Sequence, residues 1–179
     1  MDVYKLDLTV LEQEIFLLLC VRAGEKLSQR DIAKKLNVSP TAVGNSLKKL
    51  ISGELVKIEK TKTINFISFN RDNMKAVELK RAENLKNIYK SGLSDLLEFK
   101  LAGSTIIVFG SYARGEDTID SDIDIAAIGR KPKPLGLGKY EQILHRKVNI
   151  NFYGAWKDIN RQLRNNILNG IVLGGGVNL

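Results

Sequence analysis

One stretch constrains this chain more than any other. Thr105-Ile106-Ile107-Val108-Phe109 is a β-branched run that reads as a strand, and it leads directly into Gly110-Ser111-Tyr112-Ala113-Arg114-Gly115. After a short excursion, Ser121-Asp122-Ile123-Asp124-Ile125 opens a second strand. Gly110 lets an anion approach the backbone, and the N–H groups and Ser111 hydroxyl of a turn entering a helix suit phosphate oxygens. Asp122 and Asp124, two apart on a strand, project from one face while Ile123 and Ile125 point into a core. Paired carboxylates of this kind are hard oxygen ligands for Mg²⁺, which completes its octahedron with substrate phosphates. A metal there would polarise a phosphoryl group and hold an attacking hydroxyl in line. The plainer alternative is a polar turn followed by an Asp-capped strand.

The rest of the second half alternates strand and helix. Ile123 to Ile128 and Val148 to Tyr153 read as further strands, with helical stretches near Tyr140 to Leu144 and Trp156 to Leu168. The glycine-rich tail Leu173 to Val177 reads as irregular. In Val148-Asn149-Ile150-Asn151, alternation puts Val148 and Ile150 toward the core and Asn149 and Asn151 on the other face, the one expected to carry Asp122 and Asp124. Among the basic residues, Arg114 is the candidate phosphate contact because it lies inside the loop, ahead of Arg130, Lys131 and Lys133. The only histidine, His145, has no second histidine with which to hold a metal and reads as a surface or helix-end residue.

The first half is helical and then β-rich. Thr9 with Glu12 forms a capping box for a buried helix that runs through Val21 and closes near Gly24. Ser28 caps a second helix whose Ile32, Ala33 and Leu36 share a face, and Asn37-Val38 link it to a third. That third helix is capped by Ser39, has Pro40 at its first position, and carries the inner stripe Val43, Leu47, Leu50 and Ile51. Leu55 to Glu59 and Ile64 to Phe69 make a hairpin around Lys60 to Thr63, and 72–92 reads as a connecting helix. The expected organisation is thus a domain over 1–71, a connector over 72–92 and a second domain over 93–179.

Helix, tight turn, capped helix and hairpin is the order of a winged helix-turn-helix, and residues Leu8 to Phe69 resemble the winged-helix domains of bacterial and archaeal transcription regulators. The resemblance implies a recognition helix in a DNA major groove, with Thr41, Asn45, Lys48 and Lys49 off the apolar stripe to meet it and Lys60 and Lys62 at the hairpin tip to meet phosphates. Winged helices also bind RNA and proteins. Regulators of this kind commonly pair as homodimers on two-fold operators.

Gly110-Ser111 followed by Asp122-x-Asp124 resembles the signature of the DNA polymerase β superfamily of nucleotidyltransferases. Gly110, Ser111, Ala113 and Gly115, with Ser121 to Asp124, are closest to the minimal nucleotidyltransferases of archaea and bacteria, and the resemblance covers Leu93 to Leu173. It implies an α+β fold, with a mixed β-sheet flanked by helices behind the winged helix. The implied ligands are a nucleoside triphosphate and Mg²⁺, with Mn²⁺ as the alternative ion. The family also uses a third carboxylate on a neighbouring strand, and here that position is Asn149. An amide carries no charge and does not accept a proton near neutral pH. Asp120, Glu141 and Asp158 are the other acids that folding could bring near, and nothing in their spacing favours it.

Charge agrees with such partners. The formal net charge is +8, and 17 Lys and Arg against 11 Asp and Glu precede Gly92, so the excess lies mostly in the first half. The lone Cys20 sits in an apolar run, which excludes a disulfide framework or a cysteine-based zinc site. That run is well short of the roughly 20 residues needed to span a bilayer. Met1 is followed by Asp2, not a basic leader, so a cytoplasmic location without membrane contact is expected.

Two readings stay open on the sequence. In one, a DNA-binding protein carries a domain that binds NTP–Mg²⁺ and transfers a nucleotidyl group to a hydroxyl, with Asp122 and Asp124 holding the metal and Gly110 and Ser111 the triphosphate. The resemblance extends that reading to a protein acceptor or a toxin–antitoxin partner. In the other, a transcription regulator carries a degenerate, catalytically inactive domain that senses a nucleotide or mediates dimerisation.

Overall fold

Each helix of the N-terminal unit is closed at its start by a nearby side chain. In the computed structural model, which describes residues 8–178, Thr9 caps α1 (Val10–Val21): its hydroxyl accepts the Glu12 amide, and the Glu12 carboxylate accepts the Thr9 amide. Ile15, Phe16, Leu19 and Cys20 face inward. Ser28 and Asp31 repeat the box on α2 (Gln29–Leu36), and the two Ser28 hydrogen bonds hold the Asp31 carboxyl below its ordinary range. Asn37, in the left-handed region, ends α2, and Ser39 with Pro40 starts α3 (Pro40–Ser52).

The hairpin expected from the sequence is present as β2 (Val56–Lys60) and β3 (Asn65–Phe69). A third strand joins it: β1 (Leu27–Ser28) pairs antiparallel with β3, giving the order β1-β3-β2. Two residues that lead into a helix carry no periodicity of their own, so only the pairing with Phe66 and Ile67 makes them a strand. Ile15, Leu19, Ile32, Val43, Leu47, Leu50, Leu55 and Ile67 are buried. At roughly 1.5–3 kcal/mol for each large apolar side chain, this core is the main stabilising term.

Helix α4 (Met74–Ser91) contains the division between the two compact units, which falls between Val77 and Glu78. Lys80, Asn84 and Ile88, on one stripe at helical spacing, are buried in the second unit. After Gly92, at φ 77°, comes α5 (Leu93–Lys100).

The second unit is built on a four-stranded mixed sheet. Its elements are β4 (Thr105–Phe109), α6 (Gly110–Arg114), β5 (Ile123–Ile128), α7 (Gly138–Leu144), β6 (Val148–Tyr153), a 3-10 turn at Trp156–Asp158, α8 (Arg161–Leu168) and β7 (Ile171–Gly174). The strand order is β6-β5-β4-β7, with β5 parallel to β6 and the other pairs antiparallel. Ile106, Val108, Ile123, Ile125, Ala127 and Val148 pack on one face with Ile88, Leu93, Leu97 and Leu101. Ile107, Phe109, Ala126 and Ile128 pack on the other with Ile159 and Ile167.

Two elements differ from the sequence expectation. The helical stretch Trp156 to Leu168 is interrupted, because the Asn160 side chain accepts the Leu163 amide and starts α8 afresh. The tail is irregular only from Gly175: Leu173 and Gly174 belong to β7, which pairs with β4. The glycines there serve close approach, since a Cβ on Gly175 would collide with the Ser104 carbonyl.

Candidate nucleotide site and nucleic-acid face

The site begins where β4 ends. Phe109 is in register with Asp124 of β5, so the turn out of β4 passes directly by the Asp124 carboxylate. Gly110 takes φ 76° there, and a Cβ on it would stand 3.0 Å from Asp124 Oδ2. The backbone conformation favours glycine at this position, and a Cβ would press the Asp124 carboxylate aside. Ser111 follows, half-buried, and its carbonyl accepts the Glu116 amide at 3.0 Å, which curls the loop back on itself.

Asp122 and Asp124 are half-buried, on the face of β5 opposite Ile123 and Ile125. The parallel register places Asn149 of β6 beside Asp124 and Asn151 beside Ala126. Asn149 is exposed, and its Nδ2 donates to Asp122 Oδ2 at 2.9 Å. A carboxylate only accepts, so the amide must present its nitrogen. The position where a third acid would stand is thus a neutral donor resting on one of the two carboxylates. Glu141 accepts the Val148 amide and Asp158 accepts the Ala155 amide. Among the described residues, no group of three or more His, Cys, Asp and Glu side chains is disposed to hold a metal. The ligands on offer are the two carboxylates, with the Asn149 nitrogen turned onto one of them, a sparse set that would suit only a Mg²⁺ bringing most of its oxygens with it on a polyphosphate.

Arg114 is exposed and turned toward α8: its Nε donates to Glu116 at 2.7 Å and an Nη to Asn166 at 3.1 Å. His145 is exposed and caps the C-terminus of α7 in the left-handed region, at φ 52°. Beside Asp122 an open cleft of about 620 Å³ is lined by Asp120, Glu141, His145, Arg146 and Lys147, among others.

Sequence reading missed a polar cluster behind this site. Asp117 is buried, and Lys80, Asn84 and Arg146 all converge on its carboxylate. Tyr112 lies against it, and burial, then the Asp117 charge, push the phenol well above its ordinary value of 10.0. The available signal was on α4, where Lys80 and Asn84 occupy the stripe that continues to apolar Ile88.

In the first unit Thr41, Asn45 and Lys48 are exposed on α3, and Lys48 donates to Asn45 at 3.2 Å. Lys49 turns aside to pair with Glu12 of α1 at 3.9 Å. Lys60 and Lys62 are exposed at the hairpin tip. No helix among the described residues is long and apolar enough to cross a membrane.

Residues 90–166 match the family model described as a nucleotidyltransferase domain, and residues 17–57 match winged helix-turn-helix DNA-binding. No curated protein matches the chain. Among solved structures, two ZitR variants of Lactococcus lactis share 25% identity over 56% of this chain and 66% of theirs, each with a TM-score of 0.41. The adhesin competence repressor AdcR of Streptococcus pyogenes shares 19% identity over 57% of this chain and 72% of its own, with a TM-score of 0.42. The chain spans just under two thirds of the ZitR chains, and the likeness to all three is partial. The two family matches, in the order in which the two units occur, make this chain a nucleotidyltransferase domain joined behind an N-terminal winged helix-turn-helix DNA-binding domain.

Proposed function

We propose that this protein is a DNA-binding regulator whose nucleotidyltransferase domain binds a nucleoside triphosphate with Mg²⁺ and does not turn it over. One observation carries the reading, the hydrogen bond from Asn149 Nδ2 to Asp122 Oδ2. An amide in that place cannot take the proton of an attacking hydroxyl. It also occupies a carboxylate oxygen that a tightly held ion would need. Asp122 and Asp124 would hold the Mg²⁺ carried on the triphosphate, and when bound the ion neutralises phosphate charge and polarises phosphorus. Gly110 leaves room for a phosphate at the backbone, and the Ser111 hydroxyl donates to it. Arg114 reaches such a ligand only by releasing Glu116 or Asn166.

Nucleotide occupancy would be read out at DNA by a cytoplasmic homodimer on a two-fold operator. Thr41, Asn45 and Lys48 would meet base edges, and Lys60 and Lys62 phosphates. Replacing Lys60 and Lys62 by alanine should lower the salt slope of DNA binding by about one for each phosphate no longer neutralised.

The second reading is transfer to a hydroxyl acceptor, a partner protein's included. The open cleft beside Asp122 favours it, because an acceptor could approach there. The two separate in one experiment. Wild type, Asp122→Ala and Asn149→Asp are each given α-labelled NTPs with Mg²⁺ or Mn²⁺ and candidate acceptors, and bound and transferred label are measured. The regulator reading expects binding without transfer in wild type, binding lost in Asp122→Ala, and transfer gained in Asn149→Asp. Label transferred by wild type and abolished by Asp122→Ala would establish the enzyme instead.

A further inference from the structure

The cluster around Asp117 has no part in that scheme, yet its side chains hold backbone on three sides of the nucleotide site. Lys80 of α4 pairs with Asp117 Oδ1, and Asn84, one turn further along α4, donates to the same oxygen at 2.7 Å. Arg146 approaches Oδ2 at 3.5 Å. Lys80 and Asp117 are almost wholly buried, and Arg146 nearly so.

From this point hydrogen bonds run to backbone beside Ser111, Asp122 and Asn149. Asn84 Nδ2 also donates to the Tyr112 carbonyl at 2.9 Å, and the Tyr112 hydroxyl donates back to the Asn84 carbonyl at 3.3 Å, which pins α6 immediately after Ser111. Asp117 leads into a turn closed by Thr118 and Ser121, whose backbone and side-chain bonds deliver the chain to Asp122. Arg146 precedes Lys147, whose carbonyl accepts the Ile123 amide at 2.8 Å at the point where β5 and β6 begin to run together. Ser111, Asp122 and Asn149 are therefore each placed by backbone that one carboxylate holds.

Stability alone does not account for this arrangement. Taking charges out of water costs more than their pairing generally returns, and apolar side chains of the same volume would fill the space as well. A buried, hydrogen-bonded charge cluster does confine the surrounding backbone to one geometry. We propose that Asp117, held by Lys80, Asn84 and Arg146, is the positioning residue of the nucleotide–Mg²⁺ site, fixing the loop from Ser111 to Asp122 so that the two carboxylates meet the metal. The proposal rests on the nucleotide–Mg²⁺ reading given above.

Asp117→Asn is the direct variant, but it leaves two cations facing a neutral group and is liable to unfold. Lys80→Met is the better probe, because Asp117 keeps Arg146 and Asn84, and the side-chain volume is nearly conserved. Asn84→Leu releases α6 without altering any charge. Full-length wild type, Lys80→Met and Asn84→Leu are titrated with a non-hydrolysable NTP analogue with and without Mg²⁺, and amide exchange over 115–122 is followed in the free proteins.

The expected result is an affinity for the Mg²⁺ complex about 10–100-fold weaker in a variant that keeps the wild-type circular dichroism, as for residues that orient metal ligands. Metal-free nucleotide binding stays as in wild type, and exchange over 115–122 quickens. A merely structural role would leave the Mg²⁺-dependent part of the affinity unchanged. Equal Mg²⁺-dependent binding in wild type and in either folded variant overturns the positioning role while the nucleotide reading stands. Absence of nucleotide binding in wild type overturns both.

Discussion

The two units handle charge in opposite ways. In the first, charged groups meet at the surface: Lys26 with Glu59 and Lys57 with Asp72 are exposed pairs, and the exposed Asp31 closes α2 a single turn away. In the second, the decisive charges are inside, and Asp117 is held by residues 37, 33 and 29 positions away. Nor do α5, α6 or α7 start on a side-chain cap. The first unit closes its helices with neighbours in sequence and keeps these longer-range pairs at its surface. In the second, single side chains hold several elements at once.

The largest expected effect tests that contrast directly. Asp117→Asn should destabilise the second unit by about 3–5 kcal/mol, since it leaves buried cations uncompensated. Asp72→Asn, which removes an exposed pair, should leave the denaturation midpoint where it was. Comparable losses in both variants, measured by urea denaturation, would erase the distinction.

Gly110→Ala comes next. The left-handed backbone alone costs about 1–2 kcal/mol for a residue with a Cβ. The methyl group would also displace Asp124, so Mg²⁺-dependent nucleotide affinity should fall together with stability. A drop in stability with affinity intact would show that Asp124 moves without consequence.

Ser39→Ala removes the cap of α3 and should cost about 1 kcal/mol, confined to the first unit. Ser39→Asp should restore it, which a role in packing would not allow.

The smallest effect is a slope with pH. Tyr112 has a raised pKa in the folded protein, so the neutral phenol contributes stability that is fully present below its ordinary value of 10.0 and is lost as pH rises above it. Urea midpoints between about pH 9 and 11 should fall more steeply in wild type than in Tyr112→Phe. Identical slopes would mean that the phenol is no harder to ionise folded than unfolded.

The same contrast decides what could be read from sequence. Thr9, Ser28 and Ser39 announce their helices because a cap and its amide lie three residues apart. The strand into Gly110-Ser111 and the alternation of Val148 to Phe152 are similarly local, and they carry Asp122, Asp124 and Asn149 to one face of the sheet. What escaped depends on distant partners. β1 is a strand only because β3 is beside it, and β7 was hidden by the glycines that let it pass close to Ser104. Lys49 reads as an outward lysine, yet Glu12 draws it to α1. Asp117 stands in a polar loop and gives no sign of burial until α4 is packed against it.

A side chain at Gly110 would press on Asp124, so this corner of the site is fixed by backbone shape as well as by charge. Asn149 is under no such constraint. It differs from aspartate by one terminal group of nearly the same size, sits exposed on an edge strand, and is tied by one hydrogen bond. Aspartate in its place would fit the same space but would turn that hydrogen bond into a meeting of two negative charges, which only a cation between them would relieve.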